Sequence, residues 1–292
     1  MSTQPDVILS STCFRERNLL DLCELLVASG IDKIELSGNL QHLPDRHLKK
    51  ILNQYRNRIK FYIHNYFPPP LIPIVLNLAH PDTVKQTIGH CREAIDLCSF
   101  LECRFYSLHA GLSFNPKSSD LGKDQTHLLS MSLADSGKIL EEACLQVAEY
   151  AQKKNIQLLL ENNIVANFNC PNKVNERYHF SDLNESVRLH RIFSQSDIGA
   201  LLDTGHLKVS STTLDFNPVH FIERFAPYTQ VVQISDNDGR IDQNLPVRED
   251  SWFWEHIPWR QLGYVSLEVS GQSTEKLLNQ LELTQTMIAK NS

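Results

Sequence analysis

An α/β chain folded as one (β/α)8 TIM barrel is the fold class this sequence predicts, on three observations. Short continuous apolar runs alternate with amphipathic stretches along the whole chain. No glycine-rich phosphate loop follows the first run, which reads on as Ser10-Ser11-Thr12-Cys13-Phe14-Arg15, so the rival open, doubly wound sheet lacks its opening turn. The long polar connections follow strands rather than helices, the asymmetry of a barrel that keeps its chemistry at one mouth. A barrel of about 250 residues with insertions would use nearly all of the chain, so one domain is expected over residues 1–292.

Strands are expected at 7–13, 33–38, 60–65, 103–111, 156–162, 198–205, 229–236 and 263–270, apolar enough for a sheet covered on both faces. Helical spacing of apolar residues is expected to give helices at 17–29, 43–55, 82–101, 136–154, 181–193, 218–226, 254–262 and 273–289, with Pro258 interrupting the seventh. The longest connections, 112–135, 163–180 and 237–253, follow the fourth, fifth and seventh strands.

The formal net charge of −6 gives the chain no general attraction for phosphate backbones, so nucleic acid is disfavoured as a partner. No apolar run reaches the roughly 20 residues that span a bilayer. The start, Met1 to Asp6, lacks a charged and then apolar leader, and seven cysteines without zinc-finger spacing read as free thiols of a cytoplasmic protein. A homodimer is the default assembly.

The strand ends turn polar together. His64 and His109 close the third and fourth, Glu161-Asn162 the fifth, Asp203 the sixth, Ser235-Asp236 the seventh and Glu268 the eighth. In a closed barrel these ends meet at one mouth, where inward carboxylates repel each other and resist desolvation, and a divalent cation is their simplest shared partner. Glu161, Asp203 and Glu268 are therefore the expected metal site. In Asp203-Thr-Gly-His206 the glycine is expected to allow a tight turn that returns His206 to the mouth. His64, His109, Asn162 and Asp236 are candidate substrate contacts. The loop 237–253 reads as a lid in which Arg240 and Arg248 grip an anion and Trp252 and Trp254 stack on a sugar. Glu35 would orient a ligand. The histidines at 42, 47, 80, 90, 127, 190, 220 and 256 read as surface or capping groups.

Leu-Glu161-Asn162, Leu-Asp203-Thr-Gly-His206, Gln233-Ile-Ser-Asp236-Asn-Asp-Gly and Leu-Glu268, in this order, resemble the xylose-isomerase-like barrel superfamily. That group holds metal-dependent sugar isomerases and epimerases and the endonuclease-four type of apurinic endonuclease. The resemblance implies a metal held at Glu161, Asp203, Gln233 and Glu268. Gln233 replaces the usual histidine, and the all-oxygen set tilts the expected metal toward Mn or Mg, with Zn the alternative. His64-Asn-Tyr, Asn77-Leu-Ala and His109-Ala-Gly111 are similar to the endonuclease branch and would make His64 and His109 extra metal ligands. Asp242-Gln-Asn244 stands where that branch has an aspartate–histidine pair. The favoured function is isomerisation or epimerisation of a small sugar or sugar phosphate through an enediolate, with Glu161 and Glu268 as base and acid and His206 assisting. Cleavage of abasic DNA is the alternative, and a non-catalytic barrel with a decayed metal site the third reading.

Overall fold

The computed structural model describes residues 4–292; the first three residues of the start discussed above lie outside them. Eight strands form the barrel: β1 (Asp6–Ser10), β2 (Lys33–Leu36), β3 (Lys60–His64), β4 (Phe105–His109), β5 (Gln157–Glu161), β6 (Gly199–Asp203), β7 (Thr229–Ile234) and β8 (Tyr264–Leu267). All pairs are parallel, in chain order, and β8 closes on β1. Each strand is shorter than the apolar run that announced it, because the run continues into the flanking turns.

The helices are α1 (Leu19–Ala28), α2 (Asp45–Tyr55), α3 (Val84–Leu101), α4 (Leu133–Gln152), α5 (Ser186–Gln195), α6 (Thr204–Leu214), α7 (Pro218–Phe225) and α8 (Thr274–Asn291). Two differ in kind from expectation. The helix expected at 254–262 is a set of turns with one 3-10 turn, Trp259–Gln261. Pro258 breaks the stretch, and its apolar residues pack inward without helical order: Trp254 and Trp259 lie 5.6 Å apart in the main core. Helix α6 was not expected. Its Ser, Thr and Val residues are weak helix formers, and it is buried on most sides, so it has no clean amphipathic stripe.

Strand periodicity builds the barrel interior in layers. Ile8, Tyr62, Phe105, Leu159, Leu201, Val231 and Tyr264 form an apolar plug toward the amino end. Two residues further along the same strands come Ser10, His64, Ser107, Glu161, Asp203, Gln233 and Ser266, and two further again His109 and Glu268. The plug thus forms a dry floor under a polar mouth.

The connections 110–132, 162–185 and 235–263 cover that mouth; a short bridge of Leu112 with Tyr178 joins the first two, and one of Phe114 with Ser130 folds the first on itself. Gly111 lies where they cross, at φ +105°, and a Cβ there would meet Asn77 Oδ1 at 2.9 Å. Connections at the opposite end, such as 153–156 and 226–228, are short. Among the described residues no helix is long and apolar enough to cross a membrane.

Candidate metal centre

His64, His109, Glu161 and Asp203 are the last residues of β3, β4, β5 and β6, so backbone register alone brings them together. His109 is the direct sheet partner of Glu161, and Asp203 that of Gln233. Glu161 is the centre. Its Oε2 lies 3.6 Å from His64 Nε2 and 3.3 Å from His109 Nδ1, and its Oε1 lies 3.2 Å from His206 Nδ1. Burial alone would raise its pKa, but attraction to His109, the His206 hydrogen bond and His64 outweigh that and hold it at about 2.

His206 reaches the cluster by helix geometry, not by a turn. The Asp203 carboxylate caps α6, accepting from the His206 backbone N–H at 2.7 Å. Gly205 lies within the first turn of α6, and its lack of a side chain answers crowding: a Cβ there would meet Ser235 Oγ at 2.5 Å. The His206 ring is held from both sides, Nδ1 3.1 Å from the Asn162 carbonyl and Nε2 3.5 Å from Asp242 Oδ2. Burial disfavours its charge, yet Asp203, Asp242 and Glu161 together raise its pKa well above the ordinary value. His206 therefore supplies positive charge to the carboxylates. His109 goes the other way: burial lowers it to about 4, so it is neutral and keeps an acceptor nitrogen near neutral pH.

On the β7–β8 side, Glu35 binds three donors: Gln233 Nε2 and Ser266 Oγ on Oε1 and Tyr264 OH on Oε2, each at 2.9 Å. The Gln233 amide is thereby fixed, and its Oε1 is buried without a hydrogen-bond partner. Glu268 follows β8 and accepts from the Thr12 hydroxyl at 3.0 Å. Burial, reinforced by Asp203, Glu161 and Glu35, raises its pKa well above the usual carboxyl range. Asp203 is raised to about 7, by burial first and by Asp242 and Glu161, with His206 opposing.

The residues fit a cation. Glu161 Oε2, His109 Nδ1 and Gln233 Oε1 are buried atoms with acceptor capacity and no hydrogen-bond partner. Ligand atoms of His109, Glu161 and His206 lie within 4.8 Å of one another. That tightest set shares Glu161 with the four-residue set implied by the resemblance and His109 with the extra ligands it allowed, while His206 was expected to assist catalysis rather than to bind metal.

Other expected site residues have different duties. Asn162 locks β5 to β6, accepting from Asp203 N–H at 2.7 Å and donating to the Asp203 carbonyl at 3.1 Å. Asp236 accepts from Lys208 Nζ at 2.6 Å and from Ser251 Oγ at 3.2 Å, a structural pairing at the base of the loop. Arg240 is exposed. Trp254 is buried in the core and donates to the Arg248 carbonyl, so it cannot stack on a ligand as expected. His90 is buried, not superficial, and its Nε2 lies 3.1 Å from the Asn65 carbonyl.

Asp242 was marked in the sequence only by its resemblance to an aspartate–histidine pair, and His179 not at all. Asp242 comes from an irregular loop, and nothing local signals that it folds back onto His206. His179 is fully buried between Ser136 Oγ and Glu185, each 2.8 Å away, and it ties the loop after β5 to α4 and α5. Between the covering loops lies a cavity of about 440 Å³, whose lining includes His109, Asp242, Asn163, Tyr66 and Tyr178.

The barrel recurs in solved structures. A D-tagatose 3-epimerase-like protein shares 17% identity over 98% of each chain with a TM-score of 0.68. A Thermus thermophilus protein soaked with zinc chloride shares 18% over 96% of this chain and 98% of its own, TM-score 0.60. Endonuclease IV from the same organism shares 12% over 98% of this chain and 100% of its own, TM-score 0.59. At such identities the likeness is one of fold. No curated protein matches the chain. Residues 23–269 do match a described family, and on that match the chain belongs to the xylose isomerase-like TIM barrel family.

Proposed function

We propose that this barrel is a metal-dependent isomerase or epimerase acting on a small polyhydroxy carbonyl compound. The observation that carries the reading is the ionised, buried Glu161, in contact with the imidazoles of His64, His109 and His206, of which His109 also lines the cavity. His109 Nδ1, Glu161 Oε2 and Gln233 Oε1, buried and without hydrogen-bond partners, would hold a divalent cation, with Asp203 nearby. Bound there, the cation would supply the positive charge that polarises a carbonyl and its neighbouring hydroxyl. The protein's own part is positioning and proton transfer. Glu161 and Glu268, at the ends of β5 and β8, flank the space in which the carbon next to the carbonyl would sit, one taking its proton and the other returning one. His206, charged and held by Asp242, donates to the oxygen on which charge develops. The apolar plug beneath keeps water from entering from below.

The test is metal analysis after loading with Mn, Mg or Zn, joined to solvent deuterium uptake across a panel of ketoses. About one ion per chain with uptake at carbon is expected. The approach of both His64 and His109 to Glu161 also suits a phosphodiesterase, so an abasic oligonucleotide belongs in the same assay. Cleavage of that strand with two or three zinc ions would replace the isomerase reading. No turnover on either substrate class would leave a non-catalytic barrel.

A further inference from the structure

The cavity above the cluster has walls of a different chemistry from its floor. His109 and Asp242 face it from the cluster, while Leu76, Leu112, Ile164 and Phe168 line the sides among a few polar groups, Gln125, Asn163 and Tyr178. No lysine or arginine lines it among the described residues. Lys123 and Arg240 only flank the lining residues Gly122 and Ile241 in sequence, and both are exposed. At the lip, Leu121, Phe168 and Ile241 leave 44%, 39% and 47% of their surfaces in solvent. A phosphorylated sugar suits this poorly, because a phosphate dianion calls for cationic or clustered N–H donors. A bare sugar is little better served, because the polar side chains of the lining are already engaged: Tyr178 OH donates to Gln125 Oε1, Asn163 Nδ2 donates to the Gly111 and His179 carbonyls, and Asn169 Oδ1 accepts from the Gln125 backbone N–H. At about 440 Å³ the space falls in the range that encloses a ligand larger than a simple polyol.

We infer that the substrate joins a polyhydroxy carbonyl head, seated on the Glu161 cluster, to an uncharged apolar group, aryl or branched alkyl, that fills the cavity between Leu112, Ile164 and Phe168. This rests on the isomerase reading for the head, while the apolar group follows from the walls alone. It also removes the anion grip that the sequence suggested for Arg240.

The experiment is calorimetric binding to the manganese-loaded protein of two pairs of small ketones. The first pair is hydroxyacetone and 2-hydroxyacetophenone, which differ by a methyl against a phenyl group. The second is dihydroxyacetone and its phosphate. The phenyl ketone is expected to bind about tenfold tighter or more than the methyl ketone, from buried apolar area. Phe168→Ala and Ile241→Ser should each shrink that ratio, the first more. The phosphate should bring no gain, and Arg240→Ala should leave the ratios unchanged. Equal affinity of the two hydroxy ketones, no binding by the phenyl ketone, or a phosphate advantage lost in Arg240→Ala would each overturn the inference. Deuterium uptake by free ketoses is scored separately. If uptake persists without a phenyl preference, only this inference falls. If the phenyl ketone binds with its preference intact but no ketose exchanges, the isomerase reading falls and the apolar pocket stands.

Discussion

The two ends of the barrel hold carboxylates in opposite ways. At the amino end Asp6, the first residue of β1, accepts from Lys33 at 2.6 Å, Lys60 at 3.0 Å and the Tyr62 hydroxyl at 2.7 Å. Burial works against its charge, but these partners win and hold its pKa at about 2. At the carboxyl end histidines, not lysines, stand against Glu161, and a threonine hydroxyl meets Glu268. A lysine beside a carboxylate is a permanent charge, whereas an imidazole can give up its proton to become a ligand or an acid. One end is thus built to stay as it is, and the other to exchange protons or a cation. Stability is expected to follow substitutions at the first, and binding at the second.

The largest effect should come from Glu161→Gln, which keeps shape and removes the charge shared by three imidazoles. Groups that only support a metal ligand commonly contribute ten- to a hundredfold in affinity, so this change should cost about a hundredfold or more in cation affinity, with turnover falling in parallel. Titration with Mn or Zn followed by elemental analysis checks it. Unchanged affinity would mean that the cluster is a structural hydrogen-bond network.

Acidity should separate the two ends next. The folded pKa of Asp203 is raised from 3.8 to about 7. A raised carboxyl pKa gives stability that is full below the unfolded value and lost as pH rises through the folded value. The cation-free protein should therefore weaken from about pH 4 to about pH 7 on this account, and the raised Glu268 and His206 act in the same direction. Glu161 acts oppositely and lower down, since its contribution is present above 4.5 and lost as pH falls toward 2. A divalent ion offsets the crowding of negative charge, so added Mn should raise Tm more at about pH 8 than at about pH 5.5, where protons compete for the same groups. Equal shifts in scanning fluorimetry would contradict this.

How much of this was legible in the sequence follows the same division. Strand order and the polar strand ends were readable because periodicity two and burial on both faces write themselves into short apolar runs. Glu161, Asp203, His64 and His109 fall at strand ends and were found that way. The connection between β7 and β8 was not readable. The same apolar residues that pack Trp254 and Trp259 into the core imitate a helix. Asp242 stood out by resemblance alone, and its partner could not be named because its approach to His206 depends on the path of an irregular loop. Helix α6 was hidden because its cap, Asp203, is also the last strand residue, leaving no linker to mark the change. Gln233 was identified by resemblance, as a ligand in place of the usual histidine. Glu35, which fixes its amide, lies on a strand across the barrel, a relation that no local pattern carries.

A smaller effect is expected at Glu268. Partly buried among Asp203, Glu161 and Glu35, it is unfavourable when ionised. Glu268→Gln should raise the Tm of the metal-free protein near neutral pH by a few degrees, with the gain shrinking as pH falls and the wild-type group takes up its proton. The same variant should lose exchange activity. A loss of both stability and activity would instead assign Glu268 to holding Thr12 and the loop after β1.

The smallest effect should come from Asp6→Asn, and it tests the other half of the comparison. Asp6 keeps 31% of its side chain exposed, so solvent screens its two lysine pairs and the loss should be about 1 kcal/mol. Its lowered pKa means that the contribution is present above the unfolded value and vanishes as pH falls from about 4 toward 2, so variant and wild type should converge in acid. Lys60 retains its place over the Tyr62 ring, 4.9 Å from the centroid, which limits the damage. Cation affinity and turnover should not move, because the apolar plug separates Asp6 from the mouth. Reduced cation affinity at preserved stability would show that the two ends communicate through the plug.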